Sequence, residues 1–214
     1  MKHIDLWKKL SGEVPDSVWE QTQAESLVLA GNGLREVPEQ IGQMTRLRML
    51  DLGHNQLTSV PDVLGDLKSL TDFLYLHDNR LSTLPVALGR LTRLRYLNLG
   101  ENVFDDLPDA VTRMTALVEL RLGNNRIARL PDSIANLTRL RELYLRDNRL
   151  AVLPDAIAKL SDLRHLDLRG NPLTALPESL AALPRLEKLD VRWIAIEPPK
   201  WFEDLEARGC LVYR

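Results

Sequence analysis

The stretch that decides the fold is residues 140–162, which read LRELYLRDNRLAVLPDAIAKLSD. In its first half Leu143 and Leu145 alternate with Tyr144, which is the two-residue period of a short strand with one buried face. In its second half apolar residues return every three or four positions, beginning at Leu153, as in a short helix or 3-10 turn. The proline between the halves suits the first helical position, where its missing N–H costs little. The stretch therefore predicts a strand followed by a helical turn.

The same unit recurs along nearly the whole chain. Its asparagine returns every 23 residues, apart from one step of 24 between Asn55 and Asn79, and its proline keeps the same period from Pro15 to Pro177. Because one unit cannot bury its own leucines, the period predicts stacked repeats that share a core. We expect each asparagine to be buried in the turn after its strand, where its amide satisfies backbone groups and builds a hydrogen-bonded ladder. The ladder positions are Asn32, Asn55, Asn79, Asn102, Asn125, Asn148 and Asn171.

The repeated pattern L-x-x-L-x-L-x-x-N-x-L-x-x-L-P-x-x-I-x-x-L-x-x resembles the leucine-rich-repeat superfamily. The similarity covers about residues 14–196. Within the superfamily, the chain is most similar to the 23-residue type of repeat with L-P-x-x-I/L. That type is found in many bacterial proteins and in the Ras-pathway scaffold group of animals and plants. The resemblance implies an α/β fold, namely a right-handed leucine-rich-repeat solenoid with a concave parallel β-sheet and short helices or 3-10 turns on the convex side. It also implies protein binding as the usual activity.

The repeats divide the chain into three parts. Residues 1–23 are predicted to be an N-terminal helical cap and half-repeat, residues 24–196 eight leucine-rich repeats, and residues 197–214 a C-terminal cap. In the first cap, Ile4, Leu6, Trp7 and Leu10 are expected to cover the open end of the core. In the last, we expect a closing helix and an edge strand.

One repeat breaks the period. The third repeat has one residue more than its neighbours in the stretch 70–76, LTDFLYL. Two interpretations stay open. The insertion is neutral and absorbed at the rim of the sheet, or it is a bulge that turns Phe73 into the concave face, since bulges often lie beside binding sites.

The bulk composition narrows the class of protein. The chain has 214 residues, 44% of them hydrophobic and 27% charged, with a formal net charge of −2, which is typical of a folded protein and indicates neither a nucleic-acid nor a membrane partner. Its single cysteine, Cys210, cannot form an internal disulfide. The N-terminus lacks the apolar run of a signal peptide, and no stretch approaches the length that spans a bilayer. We therefore predict a monomer in the cytoplasm, or one delivered to a host cell by a signal that the sequence does not display.

Strand alternation predicts which side chains a partner meets on the concave face. Only 5% of the chain is aromatic, yet Met49, Phe73, Tyr75 and Tyr96 gather on the outward side of repeats two to four. Exposed aromatic residues in a concave surface are typical anchors of protein interfaces. The alternative is the ordinary preference of Tyr and Phe for strand surfaces.

Three arginines, Arg146, Arg169 and Arg192, are predicted to stack at the strand spacing of about 4.8 Å. Either acids such as Asp167 and Asp190 neutralise them within the chain, or an acidic peptide or phosphate does so. Nucleic acid is disfavoured by the overall negative charge. The full set of predicted partner-binding residues is Met49, Asp51, Phe73, Tyr75, His77, Tyr96, Asn98, Glu119, Arg121, Tyr144, Arg146, His165, Asp167, Arg169 and Arg192.

Signatures of catalysis are missing from the sequence. It contains no phosphate-binding G-x-x-x-x-G-K-S/T, and no histidine is predicted beside Cys210. His54 and His77 lie in adjacent repeats near acids and are conceivable metal ligands, but their spacing is not that of a zinc motif and single surface histidines are common. We predict no enzyme activity, no metal and no cofactor.

The favoured function is a protein–protein interaction module, with a bacterial effector or a scaffold as the context that the resemblance suggests. The partner is a protein, either a signalling protein of the same cell or a host protein. The alternative is a regulatory or targeting segment of a larger signalling enzyme, a kinase or GTPase. An effector ubiquitin ligase fits less well, because relatives of that kind carry shorter repeats and a separate catalytic domain.

Overall fold

The described residues, 2–214 of a computed structural model, form one parallel sheet whose strands follow chain order. Each strand has three residues, so the sheet is a narrow band to which every repeat adds one strand. Met1 lies outside the described residues. The strands are β1 (His3–Asp5), β2 (Ser26–Val28), β3 (Met49–Asp51), β4 (Phe73–Tyr75), β5 (Tyr96–Asn98), β6 (Glu119–Arg121), β7 (Glu142–Tyr144), β8 (His165–Asp167), β9 (Lys188–Asp190) and β10 (Leu211–Tyr213).

The leucine at the centre of each strand builds the core. Leu120, Leu143 and Leu166 pair in register across β6, β7 and β8, and each is at most 1% exposed. Leu145 is fully buried, whereas Tyr144 lies on the other side of its strand and is half-buried. Burial of one leucine side chain stabilises the fold by roughly 1.5–3 kcal/mol. The alternation seen in the sequence is thus the alternation that packs the solenoid.

The second half of each repeat forms one helical turn on the side opposite the sheet. Pro154, for example, directly precedes the turn Asp155–Lys159, and Ile157 points from that turn into the core. No described helix is both long and apolar enough to cross a membrane. Strands and turns together confirm the predicted solenoid with its concave parallel sheet. The turns are the 3-10 helices Glu39–Gln43, Asp62–Asp66, Val86–Arg90, Asp132–Asn136, Asp155–Lys159 and Glu178–Ala182, and the short α-helices α1 (Asp16–Trp19) and α2 (Asp109–Thr112).

The ladder asparagines join each repeat to the one before it. Asn102 donates from Nδ2 to the carbonyl oxygens of Leu99 at 3.1 Å and Leu76 at 3.0 Å, and a third bond reaches the carbonyl of Gly100. Its Oδ1 accepts the N–H of Leu81 at 2.9 Å. One amide therefore satisfies backbone groups in two repeats. The seven ladder side chains are only 3–9% exposed, so water cannot replace these bonds.

The N-terminal region contains a strand that the sequence pattern does not predict. Strand β1 pairs with β2 in the regular register, with Ile4 beside Leu27. Strand β1 thus precedes α1, so a strand as well as the predicted helical turn lies within residues 3–23. The pattern is weak here because Lys9 stands where a ladder asparagine is expected.

The expectation that Trp7 covers the open end of the core is wrong, because its side chain is 54% exposed. Its Nε1 lies over Gly31, where an added Cβ would approach it to 3.3 Å, and the Lys8 ammonium lies 5.0 Å from the ring centroid. The other three residues behave as expected, since Ile4 lies in the core and Leu6 and Leu10 pack against it.

The C-terminal segment closes the other end of the core. Helix α3 (Trp201–Ala207) buries Phe202 and Leu205, which are 1% and 0% exposed. Strand β10 then pairs in parallel with β9, and Cys210 lies buried just before it. The last leucines of the repeats are covered by this helix and strand.

The extra residue of the third repeat lies before its strand. Leu70, at the start of the repeat, is 1% exposed. Two residues, Thr71 and Asp72, lie between it and strand β4, where the other repeats have one. The N–H of Asp72 donates to the carbonyl of Arg48, whereas the N–H of Arg95 reaches back to the carbonyl of Thr71. Strand β4 keeps its register with both neighbours. The insertion is thus absorbed at the rim of the sheet and does not form a bulge within the strand.

Candidate functional site

The strands present every second side chain to the concave face, because residues on either side of the central leucine point away from the core. The residue that follows each strand by two positions projects beside them. Within strands β3 to β8 lie Met49, Asp51, Phe73, Tyr75, Tyr96, Asn98, Glu119, Arg121, Tyr144, His165 and Asp167. After the strands lie His77, Arg146, Arg169 and Arg192. The predicted partner-binding residues thus share one face, but their surroundings differ.

Phe73, Tyr75 and Tyr96 form a compact group on β4 and β5, which we call the aromatic cluster. The ring centroids of Tyr75 and Tyr96 are 4.9 Å apart, and Phe73 lies 5.4 Å from Tyr96 and 6.0 Å from Tyr75. Met49 extends the cluster, since it pairs in register with Phe73 across β3 and β4. Phe73 is 43% exposed, so an apolar surface remains open in the concavity.

The phenol groups of the aromatic cluster are neutral at physiological pH. Burial raises the pKa of Tyr96 to about 12. Burial and, after it, the negative charge of Asp51 raise the pKa of Tyr75. A neutral phenol both donates and accepts hydrogen bonds while its ring stays apolar, which is the combination favoured in protein interfaces.

Two histidines border the aromatic cluster at the ends of β3 and β4. His77 Nε2 lies 3.2 Å from His54 Nε2, and His54 Nδ1 lies 2.7 Å from Asp78 Oδ2. Both contacts are satisfied when His54 donates from Nδ1 to the carboxylate and accepts at Nε2 from His77. Burial, followed by the neighbouring His54, lowers the pKa of His77. Residues 2–214 contain no group of three or more His, Cys, Asp or Glu side chains arranged to hold a metal ion.

Ion pairs and cation–π contacts order the middle of the concave face. The Arg121 guanidinium lies 4.7 Å from the Tyr144 ring centroid and 6.0 Å from that of Tyr96. Its Nε donates to Glu119 at 2.6 Å, and the Tyr144 hydroxyl donates to Glu142 at 2.6 Å. Burial and the hydrogen bond to Glu142 raise the pKa of Tyr144. These contacts hold the side chains in place within the chain.

The predicted arginine stack is largely neutralised within the chain. Arg169 makes a two-point contact with Asp167 at 2.9 and 2.6 Å, and Arg192 makes the same contact with Asp190 at 2.9 and 2.8 Å. The two carboxylates are 6% and 2% exposed, which leaves them little surface for a partner. Arg146 alone has no carboxylate within 4.0 Å among the described side chains. The geometry favours internal salt bridges over an anion site at Arg169 and Arg192.

Residues at the starts of the strands were not among those predicted, although they border the aromatic cluster. Each of these residues lies before its strand, where side chains no longer alternate regularly between the core and the concave face. The available signal was the arginine that repeatedly stands two residues before the central leucine, as at Arg48 and Arg95. A depression of about 350 Å³ beside the cluster is lined by Arg48, Asp72, Phe73, Arg95, Tyr96, Val118 and Glu119.

Comparison with known families gives the same architecture. The sequence matches the family described as leucine rich repeat over residues 22–81, 73–127, 104–150 and 138–193. The chain belongs to the leucine-rich repeat family. The family's fold commonly serves protein binding. No curated protein sequence matches this leucine-rich repeat chain.

Solved structures resemble this leucine-rich repeat protein over nearly its whole length. The ectodomain of the plant membrane receptor kinase GASSHO1/SCHENGEN3 from Arabidopsis thaliana, in complex with CASPARIAN STRIP INTEGRITY FACTOR 2, is 30% identical with a TM-score of 0.83, over 95% of this chain and 26% of that one. A leucine-rich repeat protein of Leptospira interrogans is 26% identical with a TM-score of 0.56, over 95% of this chain and 64% of that one. An internalin of Listeria monocytogenes, 22% identical with a TM-score of 0.85 over 100% of this chain and 60% of that one, shares the fold. The chain thus spans less than two thirds of the length of each of these structures.

Proposed function

We propose that the chain is a protein-interaction module that binds a polypeptide partner on its concave face, with the aromatic cluster as the anchor. The observation that carries this proposal is three rings 4.9–6.0 Å apart on strands whose core side is already filled by leucine. Strand propensity favours an aromatic residue at any outward position. It does not account for two of the four tyrosines and one of the three phenylalanines gathering on two adjacent strands.

The surface around the cluster is ordered in advance, which favours affinity. The Asn ladder fixes the turns after the strands, and Arg121 and Tyr144 are each held by a hydrogen bond to a glutamate. Ordering a flexible side chain on binding costs about 0.5–1.5 kcal/mol. A partner that meets this face avoids much of that cost.

The chain acts by binding and not by catalysis in this proposal. Its thiol is the conspicuous nucleophile, but Cys210 is 4% exposed and burial raises its pKa. Thiols of that kind are poor nucleophiles, because the thiolate is the reactive form.

The context remains that of a bacterial effector or a scaffold, acting as a monomer in the cytoplasm or in a host cell. The likeness to the Leptospira interrogans protein supports a bacterial setting. The plant ectodomain in complex with its factor supports a polypeptide partner. Native mass measured in solution tests the monomer.

The alternative function is a regulatory or targeting segment of a larger signalling enzyme. It is favoured by the fact that this chain spans only 26% of the receptor kinase ectodomain it resembles. The full reading frame of the gene decides between the two: an adjoining kinase or GTPase domain supports the alternative, and a frame that ends with this chain contradicts it.

The Tyr75→Ala/Tyr96→Ala variant tests the anchor. We expect capture of the partner to weaken by more than about 2 kcal/mol, roughly thirtyfold, because central aromatic residues contribute most to interfaces. The free energy of unfolding should change little, since both rings are only half-buried. Tagged wild type and variant are compared in pull-downs from native and candidate host lysates, and the captured protein is then titrated by calorimetry.

The matched control is Val86→Ala/Val152→Ala, which removes apolar side chains that are 64% and 62% exposed outside the concave sheet. This control should bind as wild type does. If the tyrosine variant also binds as wild type does, the aromatic cluster is not the anchor.

A further inference from the structure

The repeats that contain β5 and β7 each carry two exposed arginines just before the strand. Arg93 and Arg95 flank the buried leucine that begins one repeat, and Arg139 and Arg141 occupy the same positions two repeats later. We call these four residues the arginine edge. They lie along the rim of the sheet, at the ends where the strands begin.

A depression lies between the two arginine pairs. In the intervening repeat the matching positions hold Ala116 and Val118, and these short side chains leave a space of about 630 Å³ that the arginine edge lines. Thr71, Asp72 and Asp162 complete the lining. The depression thus combines a small, half-buried apolar floor with cationic walls.

The arginine edge has no acid partner of its own. Among the side chains of residues 2–214, no carboxylate lies within 4.0 Å of any of its four guanidinium groups. The two acids in the lining already pair with arginines elsewhere, Asp72 with Arg48 at 3.0 Å and Asp162 with Arg185 at 2.5 Å. Since guanidinium groups bind carboxylates through paired hydrogen bonds, the depression is suited to an anionic ligand.

We propose that the arginine edge binds an extended acidic segment of a polypeptide partner, with two carboxylates three residues apart. Neighbouring strands are about 4.8 Å apart, so arginine pairs two repeats apart are separated by about 10 Å. In a polyproline II segment, residues three apart project on the same side at about 9.3 Å. An Asp-x-x-Asp spacing places one carboxylate at each arginine pair, and the residues between them lie over Ala116 and Val118.

The arginine edge is continuous with the aromatic cluster. The depression between the arginines and the smaller one beside Phe73 share Asp72, Arg95 and Val118. One segment with an apolar residue next to its acids reaches both surfaces. This inference rests on the proposed function only in taking the partner to be a polypeptide.

A short peptide is favoured over a long polyanion by the overall charge of the protein. The chain carries a formal net charge of −2, and the two acids at the ends of the depression are each neutralised by an arginine. A nucleic-acid strand or an anionic membrane extends its negative charge over the rest of this negatively charged molecule. A segment with only two carboxylates meets the unpaired arginines alone.

The test is fluorescence anisotropy with labelled synthetic peptides. The probe contains Asp-x-x-Asp beside one leucine, and its control has the same composition with the two aspartates adjacent. We expect saturable binding of the probe, at least about fivefold weaker binding of the control peptide, and at least about tenfold weaker binding of the probe to Arg93→Ala/Arg139→Ala. These arginines are exposed, so the variant should unfold at the same temperature as wild type.

The matched protein control is Arg126→Ala/Arg149→Ala, which removes the same charge from exposed arginines at the other ends of the strands. We expect less than about twofold weaker binding, because salt screens charges beyond about 8–10 Å. Equal loss in both arginine variants, or no saturable binding to wild type, overturns the inference. So does tighter binding of a single-stranded oligonucleotide or of phosphatidylserine vesicles, which would indicate another class of partner.

Failure here is distinguishable from failure of the proposed function. If the probe does not bind but Tyr75→Ala/Tyr96→Ala still loses the native partner, the arginine edge is excluded and the concave anchor stands. If the probe binds through the arginine edge while the tyrosine variant captures the partner as wild type does, the anchor fails and the acidic site stands.

Discussion

The amide of Asn102 satisfies four backbone groups in two repeats, so its removal measures what one ladder position contributes to stability. We predict that Asn102→Ala lowers the free energy of unfolding by about 2–4 kcal/mol, because buried backbone groups lose their partners where water cannot enter. Urea unfolding followed by circular dichroism measures the change. Asn136→Ala, at an exposed asparagine that ends a 3-10 helix, is the control and should stay near wild type. Equal effects at both sites would mean that the ladder adds little.

The histidine pair at the ends of β3 and β4 predicts a pH dependence of stability. Burial, followed by His54, lowers the pKa of His77, and the carboxylates of Asp51, Glu101 and Asp78 oppose this shift without cancelling it. The unfolded chain, with a histidine pKa near 6.5, then binds the proton more readily than the folded chain. The stability contributed by neutral His77 is therefore present above about pH 6.5 and is lost as pH falls below it.

Urea unfolding measured between about pH 7 and about pH 5 reports this loss. That pH interval lies above the range in which most carboxylates titrate. In His77→Asn the same decrease in pH should cost less stability than in wild type. A variant with an unchanged pH dependence would show that His77 does not titrate in this way.

At the scale of elements, contacts between successive helical turns limit what the convex side tolerates. A Cβ at Gly65, in the turn Asp62–Asp66, would collide with the backbone carbonyl of Ala87 in the next turn. We predict that Gly65→Ala destabilises the protein by roughly 1–3 kcal/mol, because backbone cannot move aside as a side chain can.

The comparison is Gly89→Ala, in the turn Val86–Arg90, where a Cβ would lie 3.0 Å from the Cδ of the flexible Arg113 and 3.3 Å from the backbone carbonyl oxygen of Ala110, a much milder approach than at Gly65. Its loss should be under about 1 kcal/mol, since the arginine can shift and alanine favours the helical turn. Thermal unfolding of both variants checks the order. A larger loss at Gly89 would contradict the packing argument.

At the scale of the whole molecule, the solenoid depends on closed ends because each repeat contacts only its neighbours. Removing residues 197–214 exposes the core that Phe202 and Leu205 cover. Loss of one buried aromatic side chain alone costs about 3–5 kcal/mol. We predict a fall of roughly 10 °C or more in the unfolding temperature, since a domain of this size shifts by about 2–4 °C per kcal/mol.

Hydrogen exchange should show where the loss begins. In the truncated protein, the amides of β8 and β9 should be the first to exchange faster than in wild type. Those of β2 and β3 should be the last, because the disturbance spreads from the open end. Phe202→Ala is the milder companion and should shift the same amides by less. A uniform increase along the chain would indicate that the repeats unfold as one unit.

Much of the candidate site follows from the sequence, but not which of its members are available to a partner. Alternation correctly places Tyr75, Tyr96 and Asp167 on one face. It carries no information on the rotamer that lets Arg169 cover Asp167 and leave it 6% exposed. It also overlooks Arg95, which lies on the rim before a strand.

The sequence by itself determined the period, the strand and turn in each repeat, the buried leucines and the asparagine ladder. These follow from local geometry: a side chain's face depends on its position in the strand, and identical units stack in only one register. Tertiary structure decided the pairing of charges, since Arg48 and Asp72 are 24 residues apart and meet only when their repeats stack. It also added strand β1 before the first repeat and decided between the two interpretations of the insertion in favour of the rim, because packing against a regular neighbour imposes order where the pattern is weak.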